Sequence, residues 1–348
     1  MKRKCNSTLK QLEDNFSNLN YPRIFKNHKK KAQEYIIREL SDMYKLKVTL
    51  EKSKFMGLLP VTCYNIESEN DDYEIILTAH YDTHPLRHNF ISSYLQRKIQ
   101  LKPFSRLINN ILYIISIIIV FFGTFLFSIC TIFLFGLILY ILHLTKYIPR
   151  ISSNYNVEFG IALIVTIYYA IGIPFPRKAY IHDDNNSGIS GIIYLAKLLH
   201  EKGYSSRVKL LFTDKEELGL LGAKAFINKN IVDLQDKKII NFDCIGRGTN
   251  LFIISKNNAP ISQELHNHFL SQKIKTSIIS VSCSDDKAFS NQKLNAAGIL
   301  RADKDSKGNK LLFWVHTSHD TFENINIDYI IEIADTIADY IATNFKKI

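Results

Sequence analysis

Histidine and acidic side chains occur in five short motifs along this chain of 348 residues. In chain order the motifs are His80-Tyr81-Asp82, Asp183-Asp184-Asn185-Asn186-Ser187-Gly188, Glu216-Glu217, Asp243 and His316-Thr317. Each follows a run of residues that is typical of a β-strand, and open α/β sheets bind their ligands beyond the carboxyl ends of strands. Imidazoles and carboxylates are ligands that zinc accepts, and two neighbouring metal ions can activate water for hydrolysis. The ordered set therefore predicts a hydrolase site that holds two metal ions.

The first two motifs each have a structural and a catalytic interpretation. Residues two apart in an extended segment point to the same side, so the Asp82 carboxylate can lie beside the His80 ring, as carboxylates do beside metal-bound imidazoles. An ordinary hydrogen-bonded pair would look the same. One acidic residue at a helix start is explained by capping and by the helix dipole. Two in succession, Asp183 and Asp184, concentrate negative charge that a cation would relieve.

The later motifs add the remaining ligands and a base. Adjacent residues at a strand-to-helix turn point in different directions, so one of Glu216 and Glu217 can bind metal while the other acts as general base on the attacking water. Asp243 closes an apolar predicted strand, where a carboxylate is costly without a partner. His316 closes another predicted strand. Each motif is weak alone, and the ordered set is what indicates catalysis.

Composition excludes several classes of protein. The formal net charge is +11 at pH 7, but lysine and arginine are scattered, and no pattern of stacking aromatics or of a recognition helix accompanies them, so no nucleic-acid partner is predicted. The five cysteines are an odd number without C-x-x-C spacing. This argues against a disulfide framework or a cysteine-based zinc site and fits a reducing compartment.

Hydrophobic patterning alternates between strands and helices on both sides of the motifs. The predicted strands are 58–66, 73–79, 208–212, 239–242, 251–255, 276–281 and 311–315, and the predicted helices are 32–44, a segment after Ser187, 217–228 and 327–345. Such alternation predicts an α/β fold with a mostly parallel central sheet flanked by helices.

An apolar insert separates the first motif from the second. Residues 111–142 contain no charged side chain, and a second apolar stretch covers 159–173. About 20 apolar residues suffice to span a bilayer. The sequence therefore predicts that a helical transmembrane insertion, residues 91–178, interrupts a catalytic domain formed by residues 1–90 and 179–348.

The predicted insertion constrains topology. Because the motifs on both sides of the insert must build one site, the number of crossings must be even, and two is the simplest. The competing arrangement is a tight hairpin within residues 111–142, with residues 159–173 lying in the membrane interface. Basic residues flank the insert on the side of the site and outnumber those of the far loop, so the positive-inside rule places the catalytic domain in the cytoplasm. No signal peptide is predicted at the N-terminus. The expectation is a multi-pass protein of the cell membrane, with the lipid bilayer as a partner.

The motifs resemble those of the M28 family of zinc peptidases, which comprises co-catalytic dizinc aminopeptidases and their relatives. The segments that carry the resemblance are Ala79-His80-Tyr81-Asp82-Thr83, the Asp183–Gly188 motif, residues 213–223, Asn241-Phe242-Asp243 and residues 316–321. The resemblance covers residues 58–90 and 180–345 and does not cover 91–178.

The resemblance implies two zinc ions per chain. It assigns His80, Asp184 and Asp243 to one zinc, and Asp184, Glu217 and His316 to the second, with Asp184 as the bridge. Glu216 is implied as the general base and Asp82 as the partner of His80. Where the family often has Ser-Asp-His, this chain has Ser284-Asp285-Asp286, which changes the expected substrate contacts and leaves the ligands in place. The histidines at 84, 88, 182 and 319 are not predicted to be ligands.

The resemblance implies a zinc-dependent aminopeptidase that removes N-terminal residues from peptides, and the predicted insertion would anchor it in the membrane. Glutaminyl-peptide cyclotransferases are the alternative, because they resemble this family. They use a single zinc, so the number of bound zinc ions distinguishes the two functions. A receptor or scaffold that keeps the fold without the ligands is a third possibility, and the presence of every implied ligand argues against it. No oligomeric state is predicted.

Overall fold

The structure is a computed structural model that describes residues 2–55, 59–84, 181–280, 284–304, 310–312, 314–316 and 319–346. The chain divides into two units, residues 1–85 with 176–348 and residues 86–175. The described residues belong to the first unit. The predicted boundaries 1–90, 91–178 and 179–348 stay a prediction.

Nine strands of the described residues form one sheet. They are β1 (Leu46–Phe55), β2 (Leu59–Ser68), β3 (Ile75–His80), β4 (Val208–Thr213), β5 (Lys238–Phe242), β6 (Asn250–Ile254), β7 (Thr276–Ile279), β8 (Asn295–Lys304) and β9 (Lys310–Leu311). Their order is β1-β2-β4-β3-β5-β8-β6-β7, with β9 paired to β8.

The sheet is mixed, and the predicted parallel arrangement is found in its four central strands and in the pair β6–β7. The four central strands β4, β3, β5 and β8 are mutually parallel. The pairs β1–β2, β2–β4, β6–β8 and β8–β9 are antiparallel. Strands β3 and β4 are buried at every residue, as parallel strands covered by helices on both faces should be. These two strands position the site.

Helices cover both faces of the sheet. They are α1 (Lys2–Asn18), α2 (Lys26–Leu40), α3 (Gly188–Glu201), α4 (Leu221–Asn230), α5 (Pro260–Ser271), α6 (Asp286–Asn291) and α7 (Ile327–Asn344), with an irregular, kinked turn at His182–Ser187 and 3₁₀ turns at Ser205–Arg207 and Phe322–Asn324. Successive side chains of β3 enter opposite cores. Ile75 and Leu77 pack in a core shared with α1, α2, α3, α5 and α7, whereas Ile76 packs in a core shared with α4 and α6.

Several elements differ from the sequence predictions. Strand β8 was not predicted, because its Asn295-Ala296-Ala297-Gly298 start shows neither alternation nor branched side chains. Strand β1 and helices α1, α5 and α6 were not predicted either. Helix α4 begins at Leu221 rather than at 217, and the predicted strand 311–315 is a two-residue strand, Lys310–Leu311.

The predicted membrane location is wrong on the evidence of this structure. Within the described ranges, no helix combines the length and the apolar character that a bilayer crossing needs. Helix α7, with 18 residues, carries four acidic side chains, Asp328, Glu332, Asp335 and Asp339. This finding contradicts the expected multi-pass placement in the cell membrane with a cytoplasmic catalytic domain, and it leaves the lipid bilayer unsupported as a partner. The predicted insertion, 91–178, lies outside the described residues.

Candidate metal centre

The central parallel strands bring three of the motifs to one edge of the sheet. His80 is the last residue of β3 and pairs with Thr213, the last residue of β4. Strand β5 lies on the other side of β3 and ends at Phe242, directly before Asp243. Asp82, the Glu216-Glu217 pair and Asp243 therefore all follow the carboxyl ends of adjacent parallel strands, where α/β sheets bind ligands.

Asp184 lies between the two histidines of the motifs. Its Oδ1 is 3.0 Å from Nε2 of His80, and its Oδ2 is 2.8 Å from Nε2 of His316. Asp243 completes a group on the His80 side, with its Oδ1 3.9 Å from His80 Nε2. Glu217 completes a group on the His316 side, with its Oε1 3.1 Å from His316 Nε2. The structure thus places the other four residues that the resemblance implied as ligands around the Asp184 carboxylate.

Ligand geometry defines two groups that could each hold a cation. One potential donor atom from each of His80, Asp184 and Asp243 lies within 4.8 Å of the others, and the same is true of His84, Glu217 and His316. His84 was not among the predicted ligands.

Asp184 is held in place by its neighbours in the Asp183–Gly188 motif and by Asp320. The Asp320 carboxylate accepts hydrogen bonds from the backbone N–H groups of Asp183 (2.6 Å) and Asp184 (3.2 Å). The Asn185 amide donates to the carbonyl of Phe242 over 2.9 Å, which fixes this segment against the end of β5. A Cβ at Gly188 would lie 2.4 Å from the same carbonyl oxygen, so the approach requires glycine. The motif is therefore a packing unit as well as a source of ligands.

Asp183 faces away from the two groups of ligands. Its carboxylate accepts hydrogen bonds from the indole Nε1 of Trp314 (2.7 Å) and from the backbone N–H of Gly246 (2.8 Å). Burial, together with the nearby Asp320 carboxylate, raises the pKa of Asp183 well above its usual value. Trp314 is two residues before His316. Its hydrogen bond to Asp183 therefore holds the turn that contains His316 against the Asp183–Gly188 motif. Sequence reasoning did not identify Trp314 or Asp320 as part of the site.

The loop before α4 presents Glu216 and Glu217. Asp82 accepts a hydrogen bond from the backbone N–H of Glu216 at 2.9 Å, and its Oδ1 lies 3.6 Å from His80 Nδ1. Lys215 has a φ of 57°, in the left-handed region that non-glycine residues rarely adopt. Such residues concentrate at functional sites, where the surrounding structure holds them in place.

Left-handed backbone recurs at the other two ligand loops. His316 itself has a φ of 59°, and Cys244, directly after Asp243, has a φ of 53°. The sequence predicted that His316 closes a strand. In the structure His316 lies in a turn with Trp314 instead. The prediction was wrong because the apolar run 311–315 resembles a buried strand.

Buried charge makes the ligand groups suited to a cation. Burial and the nearby Asp184 carboxylate together raise the pKa of Glu217 to about 7, and His316 opposes this shift. Burial and Asp184 likewise raise the pKa of Asp243. Burial disfavours the charged form of His80, but Glu216, Asp184 and Asp82 outweigh it and raise the pKa of His80 well above its usual value. In each case the nearby carboxylates act in the direction of the shift, whereas burial adds to it for Glu217 and Asp243 and opposes it for His80.

Buried polar atoms without hydrogen bonds also indicate a cation site around His80 and Asp243. Both ring nitrogens of His80 and Oδ1 of Asp243 are buried, and none makes a hydrogen bond of acceptable geometry among the described residues, although Asp184 Oδ1 lies 3.0 Å from His80 Nε2. Buried polar atoms are rarely left without a partner, so each such atom needs an explanation. Imidazole nitrogen and carboxylate oxygen form the donor set of zinc enzymes. The residues therefore fit zinc.

Glu216 lies next to the ligands without belonging to either group. Burial raises its pKa well above the usual value; His80 opposes this shift, whereas Glu217, Asp285 and Asp243 add to it. Asp285 is fully buried and accepts a hydrogen bond from the Thr213 hydroxyl. A carboxyl with a raised pKa is suited to accept and return a proton near neutral pH.

Arg23, between helices α1 and α2, hydrogen-bonds the residues that follow β3. Arg23 is fully buried, and its Nε donates a hydrogen bond to the carbonyl of Tyr81. Its backbone N–H donates to the hydroxyl of Thr83 over 2.8 Å. Arg23 thus fixes the residues on both sides of Asp82. Sequence reasoning missed it because the contact joins segments about 60 residues apart.

Comparison with known proteins gives a family match and a shared fold. Residues 182–341, somewhat less than half of the chain, match the model of peptidase family M28. This range contains Asp184, Glu216, Glu217, Asp243 and His316, and it excludes the His80 motif. No curated protein matches the chain in sequence.

Three solved structures illustrate the shared fold. A Zn-dependent exopeptidase from Parabacteroides distasonis has a TM-score of 0.59 and 16% identity over 97% of each chain. A glutaminyl cyclase from Porphyromonas gingivalis has a TM-score of 0.61 and 11% identity over 98% of each chain. The LapA aminopeptidase of Legionella pneumophila has a TM-score of 0.54 and 12% identity, over 96% of this chain and 70% of LapA. The family match and the donor set together support a zinc metallopeptidase, in which residues 182–341 match the M28 peptidase model.

Proposed function

We propose that this chain is a zinc-dependent aminopeptidase that holds two zinc ions and removes N-terminal residues from peptides. The observation that carries the proposal is the position of Asp184, with one carboxylate oxygen 3.0 Å from His80 and the other 2.8 Å from His316. A carboxylate that faces two imidazoles from its two oxygens is arranged to bridge two ions. The proposed ligands are His80, Asp184 and Asp243 for one zinc and Asp184, Glu217 and His316 for the other.

The proposed chemistry assigns a separate task to each remaining residue. Zinc bound at these ligands would supply Lewis-acid activation of a peptide carbonyl and of water. Glu216 would take the proton from the attacking water and return it to the leaving amine. Its raised pKa, caused first by burial, suits both steps. Asp82 would orient the His80 ring and, through the backbone N–H of Glu216, hold the base in place.

The second candidate is a glutaminyl-peptide cyclotransferase, an enzyme that the resemblance connects with a single zinc. It is kept because the fold is shared with glutaminyl cyclases along nearly the whole chain. The presence of donor groups on both sides of Asp184 favours two metal ions and therefore the aminopeptidase.

Product analysis separates the two activities directly. The purified chain is incubated with a panel of peptides, one of which begins with glutamine, and the products are identified from their masses by mass spectrometry. A peptidase adds water and yields a free amino acid and a shortened peptide, whereas a cyclase releases ammonia from the glutamine peptide. The proposal expects the first outcome, its loss on chelation and its return with zinc. Cyclised product without any shortened peptide would overturn it.

Glu216→Gln tests the proposed base in the same assay. We expect the variant to keep its zinc, because Glu216 is outside both ligand groups, and to lose turnover by about 10²-fold to 10⁴-fold. The matched control is Glu264→Gln, at a carboxylate of α5 whose partners are Lys238 and Tyr340. Near-normal hydrolysis by Glu216→Gln would remove this residue as the base.

A further inference from the structure

His84 is four residues beyond His80, at the end of the described range 59–84. Its imidazole stacks on that of His316, with ring centroids 4.0 Å apart and an angle of 23° between the planes. One of its possible donor atoms lies within 4.8 Å of those of Glu217 and His316. The family match begins at residue 182 and does not extend to it.

Ring stacking alone would explain the contact with His316 but not the whole arrangement. Nε2 of His316 faces both Asp184 Oδ2 and Glu217 Oε1, at 2.8 and 3.1 Å, so these three residues already surround one position. One possible donor atom of His84 lies within 4.8 Å of those of Glu217 and His316, so its imidazole can reach the same position. A partly exposed imidazole beside two carboxylates and a second imidazole is a ligand set of the kind that zinc takes.

We propose that His84 is an additional ligand of the zinc held by Glu217 and His316. The inference rests on the proposed two-zinc function. The centre around His316 would then have four protein donors, His84, Asp184, Glu217 and His316. The centre around His80 would have three, His80, Asp184 and Asp243.

Unequal donor numbers imply unequal roles for the two zinc ions. Zinc sites with four protein ligands are closed, whereas catalytic sites keep a position open for water or substrate. The centre around His316 would therefore bind its zinc more tightly and fill first. The centre around His80 would keep the open position and would exchange its ion more readily.

Zinc titration of two His84 variants tests the proposal without using activity. His84→Ala removes both the donor and the ring, and His84→Phe keeps a ring to stack on His316 but has no donor nitrogen. The control is His200→Ala, because His200 is near the end of α3 and its ring contacts Ser205. Each metal-free full-length chain is titrated with zinc against a chromogenic chelator, and Co²⁺ spectra are recorded in parallel. Thermal unfolding of the metal-free proteins checks that the variants fold.

The expected result is a tight and a weaker zinc in the wild-type chain and in His200→Ala. In both His84 variants the affinity for the tight zinc falls by about tenfold or more, since loss of a partner that only supports a ligand already costs 10-fold to 100-fold. The Co²⁺ absorption of that site also changes. Wild-type affinity in His84→Phe would overturn the inference and leave His84 as a stacking partner.

The two proposals fail in different ways. A wild-type chain that binds a single zinc overturns the two-zinc function. A chain that binds two zinc ions, with both affinities unchanged in His84→Ala and His84→Phe, overturns the role of His84 and leaves the function in place.

Discussion

The backbone N–H of Glu216 donates a hydrogen bond to Oδ1 of Asp82 over 2.9 Å. The same oxygen lies 3.6 Å from Nδ1 of His80. One carboxylate therefore connects the loop of the proposed base with an imidazole proposed to hold zinc. Burial opposes ionisation of Asp82, but His80 and this N–H outweigh it, so the pKa of Asp82 is lowered. Asp82 is thus charged at neutral pH, which strengthens both contacts.

Replacement of Asp82 should affect zinc binding and turnover together. Asp82→Ala removes the support of His80 and the acceptor for the Glu216 N–H, so zinc affinity is expected to fall by about 10-fold to 100-fold. Asp82→Asn keeps an oxygen that can accept the N–H, and its turnover at saturating zinc should exceed that of Asp82→Ala. Calorimetric zinc titration and kcat at saturating zinc measure the two effects. Equal kcat in the two variants would show that the bond to Glu216 does not position the base.

Gly188→Ala should destabilise the fold at the ligand turn. The new Cβ would lie 2.3 Å from Asn185 Oδ1 and 2.4 Å from the Phe242 carbonyl oxygen, and the backbone oxygen cannot move aside easily. Overpacking of this kind costs about 1–3 kcal/mol of the free energy of unfolding. Gly191→Ala, on the same helix, is the matched control, because the nearest atom to its Cβ is the flexible end of Ile245. Urea unfolding of the metal-free proteins gives both values, and equal stability would contradict the packing argument.

Trp314→Phe should cost stability through Asp183. The substitution keeps a large ring but removes the Nε1–H that donates to Asp183 Oδ2, leaving a buried carboxylate with one donor fewer. A cost of about 1–3 kcal/mol in the free energy of unfolding is expected. A double-mutant cycle with Asp183→Asn tests the cause, because residues in one hydrogen-bond network should not behave additively. Additive effects would show that the cost comes from packing instead.

The chemistry of this site was easier to predict than the elements that carry it. His80, Glu217 and Asp243 lie at or after the ends of strands β3, β4 and β5, whose apolar runs are evident, and parallel strands bring their carboxyl ends to one edge. His316 converges on the same site from a turn that was predicted as a strand. Its position depends on the bond between Trp314 and Asp183, two residues separated by 131 positions in sequence. No local pattern predicts such a contact.

Other differences have equally physical causes. Strand β8 begins with small residues because it is packed tightly in the sheet, where a Cβ at Gly298 would already lie 3.0 Å from Asp286. The role of Arg23 depends on burial against the residues that follow β3, which the sequence alone does not show. The membrane location was inferred from hydropathy outside the described residues, and the described helices contradict it.

Zinc counting across single ligand variants tests the shared role of Asp184 most directly. Metal content per chain is measured by mass spectrometry after dialysis for the wild type, Asp243→Ala, Glu217→Ala and Asp184→Ala. A bridging Asp184 predicts about two zinc ions in the wild type, about one in each of the Asp243 and Glu217 variants, and almost none in Asp184→Ala. A folded Asp184→Ala chain that retains a full zinc ion would contradict the bridge.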